Sequence, residues 1–343
     1  MKIENKIISE KKEPFIIAEI GINHNGKISN AIKMIDKAVE AKCDAVKFQT
    51  IKTSKLMISN APLARYQINK KFKSMDSLIN KYNISNKDFV LIKNYCKKKK
   101  IIFISTPFDE ESAIFLNKIG VSAFKISSTD CDNLLLINQI KKFNKPIILS
   151  TGMTTFDEIT KILNKIKIKN NKLSILHCIS NYPTKLKDTK LGTIKKIKKF
   201  KYNVGFSDHS IGFSASIAAV ALGATIIEKH ITLSKEMSGP DHKASLECKY
   251  LKDFVSNIKN TYVSIKTAKK NLSSSELETR KIAKKSLYFK KDLKKNHKVL
   301  LSDICALRPR LDGVSPLEIK KVLGKKTKIA LKKNTILKFN YLK

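Results

Sequence analysis

The sequence has no tryptophan, and only four of its 69 basic residues are arginine. Its formal net charge of +40 over 343 residues therefore comes from lysine. Proteins that read nucleic-acid sequences rely on arginine, whose planar guanidinium matches phosphate and guanine, and often on aromatic side chains that stack on bases. The charge predicts a solvated, lysine-rich surface that attracts anionic substrates, and it argues against a specific nucleic-acid partner.

Long apolar runs, paired cysteines and glycine-rich loops are also missing. No apolar run approaches the roughly 18 residues of a membrane span, and the first residues show no apolar segment of a signal peptide. The six cysteines are dispersed and form no C-x-x-C pair, which is typical of free thiols in a reducing compartment. No glycine-rich P-loop indicates a nucleoside triphosphate site. We therefore expect a cytoplasmic protein without a membrane partner.

The chain instead alternates short apolar runs with longer stretches of helical period. Eight strands are predicted at Phe15–Ile20, Asp44–Phe48, Ile101–Ser105, Ala123–Ser127, Pro146–Ser150, Leu173–Cys178, Asn203–Phe206 and Ala224–Glu228. Helical patterns separate the strands at about Ile28–Ala41, Lys87–Lys99, Glu110–Ile119, Leu134–Phe143, Phe156–Lys165, Thr189–Phe200 and Phe213–Leu222, and a last one follows at about Leu246–Lys269. This rhythm predicts an α/β fold, a (β/α)₈ TIM barrel over residues 1–270, with a doubly wound parallel sheet as the alternative. A linker at 271–282, with a helix-start signal in Asn271–Glu278, and a small β-rich domain at 283–343 are predicted to follow. Strand-like runs in this domain predict strands at Ser286–Phe289, Lys298–Leu301 and Lys328–Leu331.

Polar residues end nearly every predicted strand, and active sites of such barrels lie at the carboxyl ends of the strands. The ends carry Glu19, Lys47 with Gln49, Ser105 with Thr106, Lys125 with Ser128, Ser150, His177, Ser207 with His209, and Glu228 with His230. We therefore predict a functional site there. His177 is left open between a role in that site and a hydrogen-bonded place in the core.

Two kinds of chemistry are predicted at these ends. His209 and His230, with Glu228 on the face of His230, suit a divalent metal with open positions, although they could also be unrelated loop histidines. Lysines with serines near helix starts suit a phosphorylated, carboxylated anion. A Schiff-base role for Lys125 or Lys47 is the rival hypothesis.

Taken together, an ordered set of segments resembles the sialic acid synthase family, whose members make N-acetylneuraminate, legionaminate or pseudaminate. The segments include Ala18-Glu-Ile-Gly-Ile-Asn-His-Asn-Gly26, Lys47-Phe-Gln-Thr50, Lys125-Ile-Ser-Ser128, Ser150-Thr-Gly-Met153, Asn181-Tyr-Pro-Thr184, Gly205-Phe-Ser-Asp-His209, Ile227-Glu-Lys-His-Ile-Thr232 and Gly239-Pro-Asp-His242. The tail, with Arg308-Pro309 and Gly313-Val-Ser-Pro316, resembles the family's antifreeze-like SAF domain.

The resemblance implies that phosphoenolpyruvate condenses with an open-chain N-acetylated hexosamine to give a nine-carbon 2-keto acid and phosphate. His209 and His230 would hold Mn²⁺ or Mg²⁺, and Glu19, Lys47, Lys125 and Glu228 would be catalytic. Phosphoenolpyruvate would bind Lys47, Thr106, Lys125, Ser128, Ser150, Ser180 and Ser207. The sugar would meet Glu19, Gln49, Tyr182, Asp241 and, from the partner of a domain-swapped homodimer, Arg308.

One departure from the family pattern concerns the tail, where Arg310 stands in place of the glycine that follows Arg-Pro in many members. The sequence does not decide between N-acetylmannosamine and a 2,4-diacetamido-6-deoxy relative as acceptor. Two other functions remain as alternatives, a Schiff-base aldolase acting on the same keto acid and a non-catalytic basic protein that binds polyanions.

Overall fold

The computed structural model describes residues 1–58, 75–267 and 269–343, and it divides the chain into two compact units, Met1–Thr267 and Ala268–Lys343. The first unit contains a barrel of eight parallel strands: β3 Phe15–Gly21, β4 Ala45–Thr50, β5 Ile102–Pro107, β6 Phe124–Ile126, β7 Ile147–Ser150, β8 Leu173–Cys178, β9 Asn203–Asp208 and β10 Ile226–Thr232. Because β10 pairs with both β9 and β3, the sheet closes on itself. The TIM-barrel prediction is confirmed, and the doubly wound alternative is wrong.

Helices connect the strands on the outside of the barrel. They are α1 Ile28–Glu40, α2 Thr53–Leu56, α3 Met75–Tyr82, α4 Asn86–Lys99, α5 Glu110–Ile119, α6 Leu134–Lys141, α7 Phe156–Ile166, α8 Thr193–Ile197, α9 Ser214–Ala221 and α10 Leu251–Ile265. Local caps set several ends: Thr155 and Glu158 form a capping box at α7, and Gly120 ends α5 in the left-handed conformation.

The predicted last barrel helix, Leu246–Lys269, begins too early and ends too late. Its first two residues form β11, Leu246–Glu247, which extends the sheet beside β10. The helix itself occupies Leu251–Ile265. Leu246 is apolar and buried. Because a buried apolar residue suits a strand as well as a helix, the sequence pattern does not distinguish the two here.

Two apolar clusters pack against the strands, one outside the barrel and one inside it. The larger one fills the space between strands and helices, while a smaller cluster fills the barrel interior near the strands' amino ends. A short hairpin of β1 Lys2–Ile3 and β2 Lys6–Ile7 contributes Ile3 to that inner cluster. Gly205 in β9 leaves room for Leu176, whose Cδ2 would lie 2.4 Å from a Cβ at this position. The interior is therefore packed at one end, which leaves the carboxyl ends of the strands for a cavity.

The second unit has its own apolar core around Phe289, Val299, Val322 and Leu337. It contains α11 Ser274–Ala283, which begins at a Ser273–Glu276 capping box as the sequence predicts, and a pair of antiparallel strands, β12 Ser286–Phe289 and β13 Ile304–Leu307.

The strand predicted at Ser286–Phe289 is confirmed, but those predicted at Lys298–Leu301 and Lys328–Leu331 are wrong, since these segments contribute only isolated bridges. Within the described part of the chain, no helix has the length and apolar character needed to cross a membrane.

Candidate active site

A cavity of about 530 Å³ opens at the carboxyl ends of the barrel strands. Fourteen of the fifteen predicted site residues line it: Glu19, Lys47, Gln49, Thr106, Lys125, Ser128, Ser150, Ser180, Tyr182, Ser207, His209, Glu228, His230 and Asp241. Alternation explains the convergence of the residues on the strands, because side chains two residues apart point to the same face. The segments that follow β6, β8 and β10 contribute Ser128, Ser180, Tyr182 and Asp241. The fifteenth residue, Arg308, belongs to the second unit, where its side chain is exposed.

Two lysines and two glutamates form the charged floor of the cavity. Lys47 Nζ lies 2.9 Å from Glu19 Oε2 and 3.8 Å from Glu228 Oε2, and Lys125 Nζ lies 3.9 Å from Glu228 Oε1. All four side chains are buried. The four formal charges sum to zero, which reduces the cost of removing them from water.

Burial and neighbouring charge shift the two carboxyl groups in opposite directions. Burial raises the pKa of Glu19 to about 7, more than Lys47 lowers it. Burial also opposes ionisation of Glu228, but Lys125 and Lys47 hold the pKa of this group below its usual value. Two carboxyl groups with divergent pKa values in one cavity can take different parts in proton transfer.

A corner of the cavity that suits an anion, called here the anion corner, lies around Lys125 and Ser150. Lys125 Nζ donates to Ser150 Oγ at 2.6 Å, and Lys47 Nζ donates to Thr106 Oγ1 at 3.2 Å. The Gly152 N–H donates to Ser128 Oγ at 2.9 Å. Ammonium groups with hydroxyls at hydrogen-bond distance suit phosphate and carboxylate oxygens.

Gly152 sets the spacing of this corner, and sequence reasoning had not singled it out. A Cβ at this position would lie 2.3 Å from Ser180 Oγ and 2.8 Å from Ser128 Oγ. Both contacts are too short, so the two hydroxyls can lie against the backbone here only because residue 152 lacks a side chain. The signal in the sequence was a glycine directly after the polar end of a strand.

The two predicted metal ligands lie side by side, with ring centroids 5.4 Å apart and the Tyr182 ring against both. His209 Nδ1 is 2.7 Å from the Ile179 carbonyl oxygen, which assigns the hydrogen to Nδ1 and leaves a lone pair on Nε2. His230 Nδ1 is buried without a hydrogen-bond partner, and Asp241 Oδ2 lies 3.9 Å away. Burial and nearby positive charges, His209 first, hold the pKa of His230 far below its usual value.

The neutral imidazole of His230, with its unpartnered ring nitrogen, fits a divalent cation, and His209 offers the Nε2 lone pair, 3.5 Å from Ser207 Oγ. Across residues 1–58, 75–267 and 269–343, however, no group of three or more His, Cys, Asp or Glu side chains has the arrangement of a metal site. A cation here would therefore take two imidazoles from the protein and fill its remaining positions with substrate and water.

Two other histidines near the barrel mouth are structural. His177 Nε2 lies 2.7 Å from the Thr189 carbonyl oxygen, and its ring stacks on Phe206, so the question left open by the sequence is resolved in favour of the core. His242 lies 2.7 Å from Thr232 Oγ1 and 3.0 Å from Asn25 Oδ1, and it fixes the loop that carries Asp241.

One side of the cavity is apolar, which the sequence did not reveal. It is lined by Ile22, Ile51, Leu56, Met57, Ile79 and Phe108, which pack as a single cluster with Tyr82. These residues come from loops and short helices that follow β3, β4 and β5 and from α3. Their approach to the cavity depends on loop conformation, for which the strand pattern carries no signal.

Arg310, the departure in the tail, has a structural role in the second unit. Its Nη2 donates to Ser315 Oγ, and its main-chain N–H and C=O bind the Lys281 carbonyl and the Ser286 hydroxyl at 2.8 and 2.7 Å. These bonds hold the loop that begins at the exposed Arg308.

A closed (β/α)₈ barrel with lysines, carboxyl groups and imidazoles gathered at its carboxyl end has the architecture of a barrel enzyme. The chain belongs to the NeuB family, whose model matches residues 34–270, and a SAF domain model matches residues 284–343. The resemblance to sialic acid synthases and the assignment as an enzyme are thereby confirmed.

Relatives with assigned activities are similar over nearly the whole chain. The N,N'-diacetyllegionaminic acid synthase of Campylobacter jejuni is 40% identical over 320 residues, covering 92% of this chain and 96% of that protein. A pseudaminic acid synthase of the same species is 34% identical, covering 95% and 96%. The crystal structure of N-acetylneuraminic acid synthetase from Leptospira borgpetersenii, in complex with citrate, is 34% identical with a TM-score of 0.72, covering 81% of this chain and 94% of that one.

Proposed function

We propose that this enzyme condenses phosphoenolpyruvate with an open-chain N-acetylated hexosamine, giving a nine-carbon 2-keto sugar acid and phosphate. The observation that carries the proposal is the joint presence, in one cavity, of the Gly152 anion corner and the unpartnered imidazole nitrogen of His230. The first suits the phosphate and carboxylate of phosphoenolpyruvate, and the second suits a divalent cation that would activate an aldehyde. The names of the relatives support the same reaction class.

The charged floor accounts for substrate binding. Lys47 and Lys125 would donate to the phosphate and carboxylate oxygens, and Ser128, Ser150 and Ser180 would donate further hydrogen bonds to them. Thr106 and Ser207 extend the same corner. Phosphoenolpyruvate bound this way would share the cavity with the two imidazoles, so its C3 could approach an aldehyde held beside them.

His209 and His230 would hold Mn²⁺ or Mg²⁺, which when bound supplies Lewis-acid polarisation of the sugar aldehyde. C3 attacks the aldehyde carbon, and the new alkoxide needs a proton that Glu19, with a pKa of about 7, can donate. Water then adds at C2, and Glu228, held ionised by the two lysines, can accept its proton. Phosphate leaves as the C2 adduct collapses to the ketone.

The apolar side of the cavity favours one acceptor. A 2,4-diacetamido-6-deoxy hexose presents more methyl groups than N-acetylmannosamine, and each buried methylene-sized group contributes ~0.8 kcal/mol. Ile51 and Ile79 are available for such contacts. We therefore propose the diacetamido sugar as the preferred acceptor, the sugar type implied by the name of the N,N'-diacetyllegionaminic acid synthase of Campylobacter jejuni.

The test measures phosphate release from phosphoenolpyruvate with each acceptor in turn, with and without EDTA. We expect release that depends on the acceptor, stops with EDTA and has a higher kcat/KM for the diacetamido sugar. Release without any acceptor, or none with either, would contradict the reaction. Equal kcat/KM for both sugars would contradict only the choice of acceptor.

The aldolase alternative retains one supporting observation, because burial lowers the pKa of Lys125 and so favours its amine form. The same preparation tests it. Borohydride with pyruvate would trap a covalent adduct on Lys125 in an aldolase, and we expect no adduct here.

The domain-swapped homodimer and the contact of Arg308 with the partner's sugar remain predictions. Mixing Arg308→Ala with His230→Ala tests both. In a swapped dimer the mixed species pairs an intact barrel with an intact Arg308, and with random exchange roughly a quarter of the sites regain activity. The mixture is assayed at a sugar concentration below the raised KM of Arg308→Ala, and without swapping its activity is only the average of the activities of its two components.

A further inference from the structure

A buried ion pair lies directly behind the two imidazoles. Asp208 and Lys229 are opposite one another in the β9–β10 register, and Lys229 Nζ lies 2.9 Å from Asp208 Oδ2. Both side chains are almost completely buried. Each immediately precedes a cavity histidine, so alternation turns the pair outward, toward the helices, while His209 and His230 turn inward.

Every oxygen of the Asp208 carboxylate has partners. Oδ1 accepts from the main-chain N–H and the hydroxyl of Ser210 at 2.8 and 2.7 Å. Oδ2 accepts from Ser216 Oγ, in the first turn of α9, at 2.6 Å, in addition to the ammonium of Lys229. Lys229 also donates to the Ser210 carbonyl oxygen. The network thus joins the ends of two strands, the loop after β9 and the start of a helix.

A fully satisfied network of this kind restricts geometry more than it adds stability, because desolvation of both charges offsets much of their attraction. The geometry matters here because His230 Nδ1 has no hydrogen-bond partner to orient the ring. His209, in contrast, is held through the Ile179 carbonyl. Apart from its contacts with the Tyr182 and His209 rings, the position of the His230 ring therefore depends on the backbone that Lys229 anchors.

We propose that Asp208 and Lys229 are positioning residues: their ion pair holds the ends of β9 and β10 together so that His209 and His230 face one point in the cavity. Neither residue touches the substrate in this arrangement. The inference draws on the proposed metal-dependent condensation for its activity readout, but the ring positions themselves can be measured without metal or substrate.

The test compares Lys229→Met, Asp208→Asn and the double variant with two controls. Lys141→Met removes another lysine bonded to a main-chain carbonyl, that of Ile166, on a different face of the barrel. Ile166→Ala lowers stability at the end of α7 away from the cavity. Asp208→Asn preserves the shape of the side chain. If Asp208→Asn or Lys229→Met does not fold, Ser216→Ala, which removes one hydrogen-bond donor to Asp208, takes its place as a milder change.

We expect the single variants to weaken Mn²⁺ binding, measured by electron paramagnetic resonance, by about 10- to 100-fold, the range found when groups that orient a metal ligand are removed. They should lower kcat more than they raise the KM for phosphoenolpyruvate. In ¹⁵N-histidine spectra of the metal-free protein, the ring signals of His209 and His230 should move while that of His297 does not. The double variant should be no worse than the worse single one, because no unpaired buried charge remains.

The proposal would be overturned if the Asp208 and Lys229 variants kept the ring signals and the Mn²⁺ affinity of the unaltered protein and lost only heat stability, as Ile166→Ala does. The ion pair would then have a purely structural role. If the unaltered protein binds no Mn²⁺ at all, the metal dependence fails, and the ring signals alone decide this inference. The two failures are therefore distinguishable.

Discussion

Replacement of Gly152 by alanine perturbs the proposed anion corner without removing a charge. The new Cβ would lie 2.3 Å from Ser180 Oγ, 2.8 Å from Ser128 Oγ and 3.2 Å from Cys178 Sγ. Both hydroxyls are at the ends of side chains that can rotate about χ1, so they turn away and the backbone stays in place. The backbone at Gly152 is outside the left-handed region, so alanine can adopt the same backbone conformation without strain.

The expected cost to folding is close to zero. Loss of the hydrogen bond from the Gly152 N–H to Ser128 costs about 0.5–1.5 kcal/mol, and the lower entropy of the unfolded alanine chain offsets about 0.4–1 kcal/mol. In the unaltered protein each of these two hydroxyls would donate to an ionised phosphate or carboxylate oxygen, an interaction of about 1.5–3 kcal/mol. The variant loses that interaction because the hydroxyls turn away. We therefore expect the KM for phosphoenolpyruvate to rise at least about tenfold, with little change in the KM for the sugar.

Phosphate-release kinetics at varied concentrations of each substrate, together with thermal unfolding, measure the two effects separately. Gly192→Ala is the matched control, because a Cβ there would have no atom within 4 Å. An unchanged KM for phosphoenolpyruvate in Gly152→Ala would refute the assignment of Ser128 and Ser180 to the anion corner. A large loss of thermal stability would refute the idea that the two hydroxyls rotate freely.

Three further predictions concern the imidazoles, the tail and the second unit. His230→Ala should remove most activity and leave the unfolding temperature near that of the unaltered protein; near-normal turnover in the metal-free variant would disprove the metal assignment. Arg308→Ala should raise the KM of the sugar more than that of phosphoenolpyruvate, measured by the same phosphate assay. In the second unit, burial opposes ionisation of Asp303, but Lys291, the Leu300 N–H and His297 lower its pKa to about 2. Because this folded-state pKa lies below the usual 3.8, the unit should lose about 2 kcal/mol of stability as pH falls from about 4 to about 2, and Asp303→Asn should abolish that dependence in chemical unfolding.

The barrel could be predicted because each strand is a short apolar run followed by a polar end. Leu173–Cys178 and Glu110–Ile119 were predicted with the bounds the structure has, and most other elements differ by one to three residues. The tail was harder. Its strand-like runs at Lys298–Leu301 and Lys328–Leu331 form only bridges, since a small β-rich unit is held by long-range main-chain pairs that local propensity does not encode.

The cavity shows a similar division. Residues at strand ends, such as Lys47 and His230, could be assigned to it because parallel strands place all their carboxyl ends at one mouth. The apolar side around Ile51 and Ile79 could not, because it depends on loop conformation. The partnership of Asp208 with Lys229 also requires the strand register, which the sequence of either strand alone does not specify.

The charge balance of the floor explains why Gly152 is a better probe than the lysines themselves. Lys47 and Lys125 are buried with Glu19 and Glu228, so removing one ammonium leaves a carboxylate without its counter-charge in the protein interior. That costs folding free energy as well as substrate affinity, because breaking one side of a buried pair is destabilising by about 3–5 kcal/mol. A Lys47→Met variant would therefore lose activity whether or not Lys47 binds phosphoenolpyruvate, whereas Gly152→Ala changes only the direction in which two hydroxyls point.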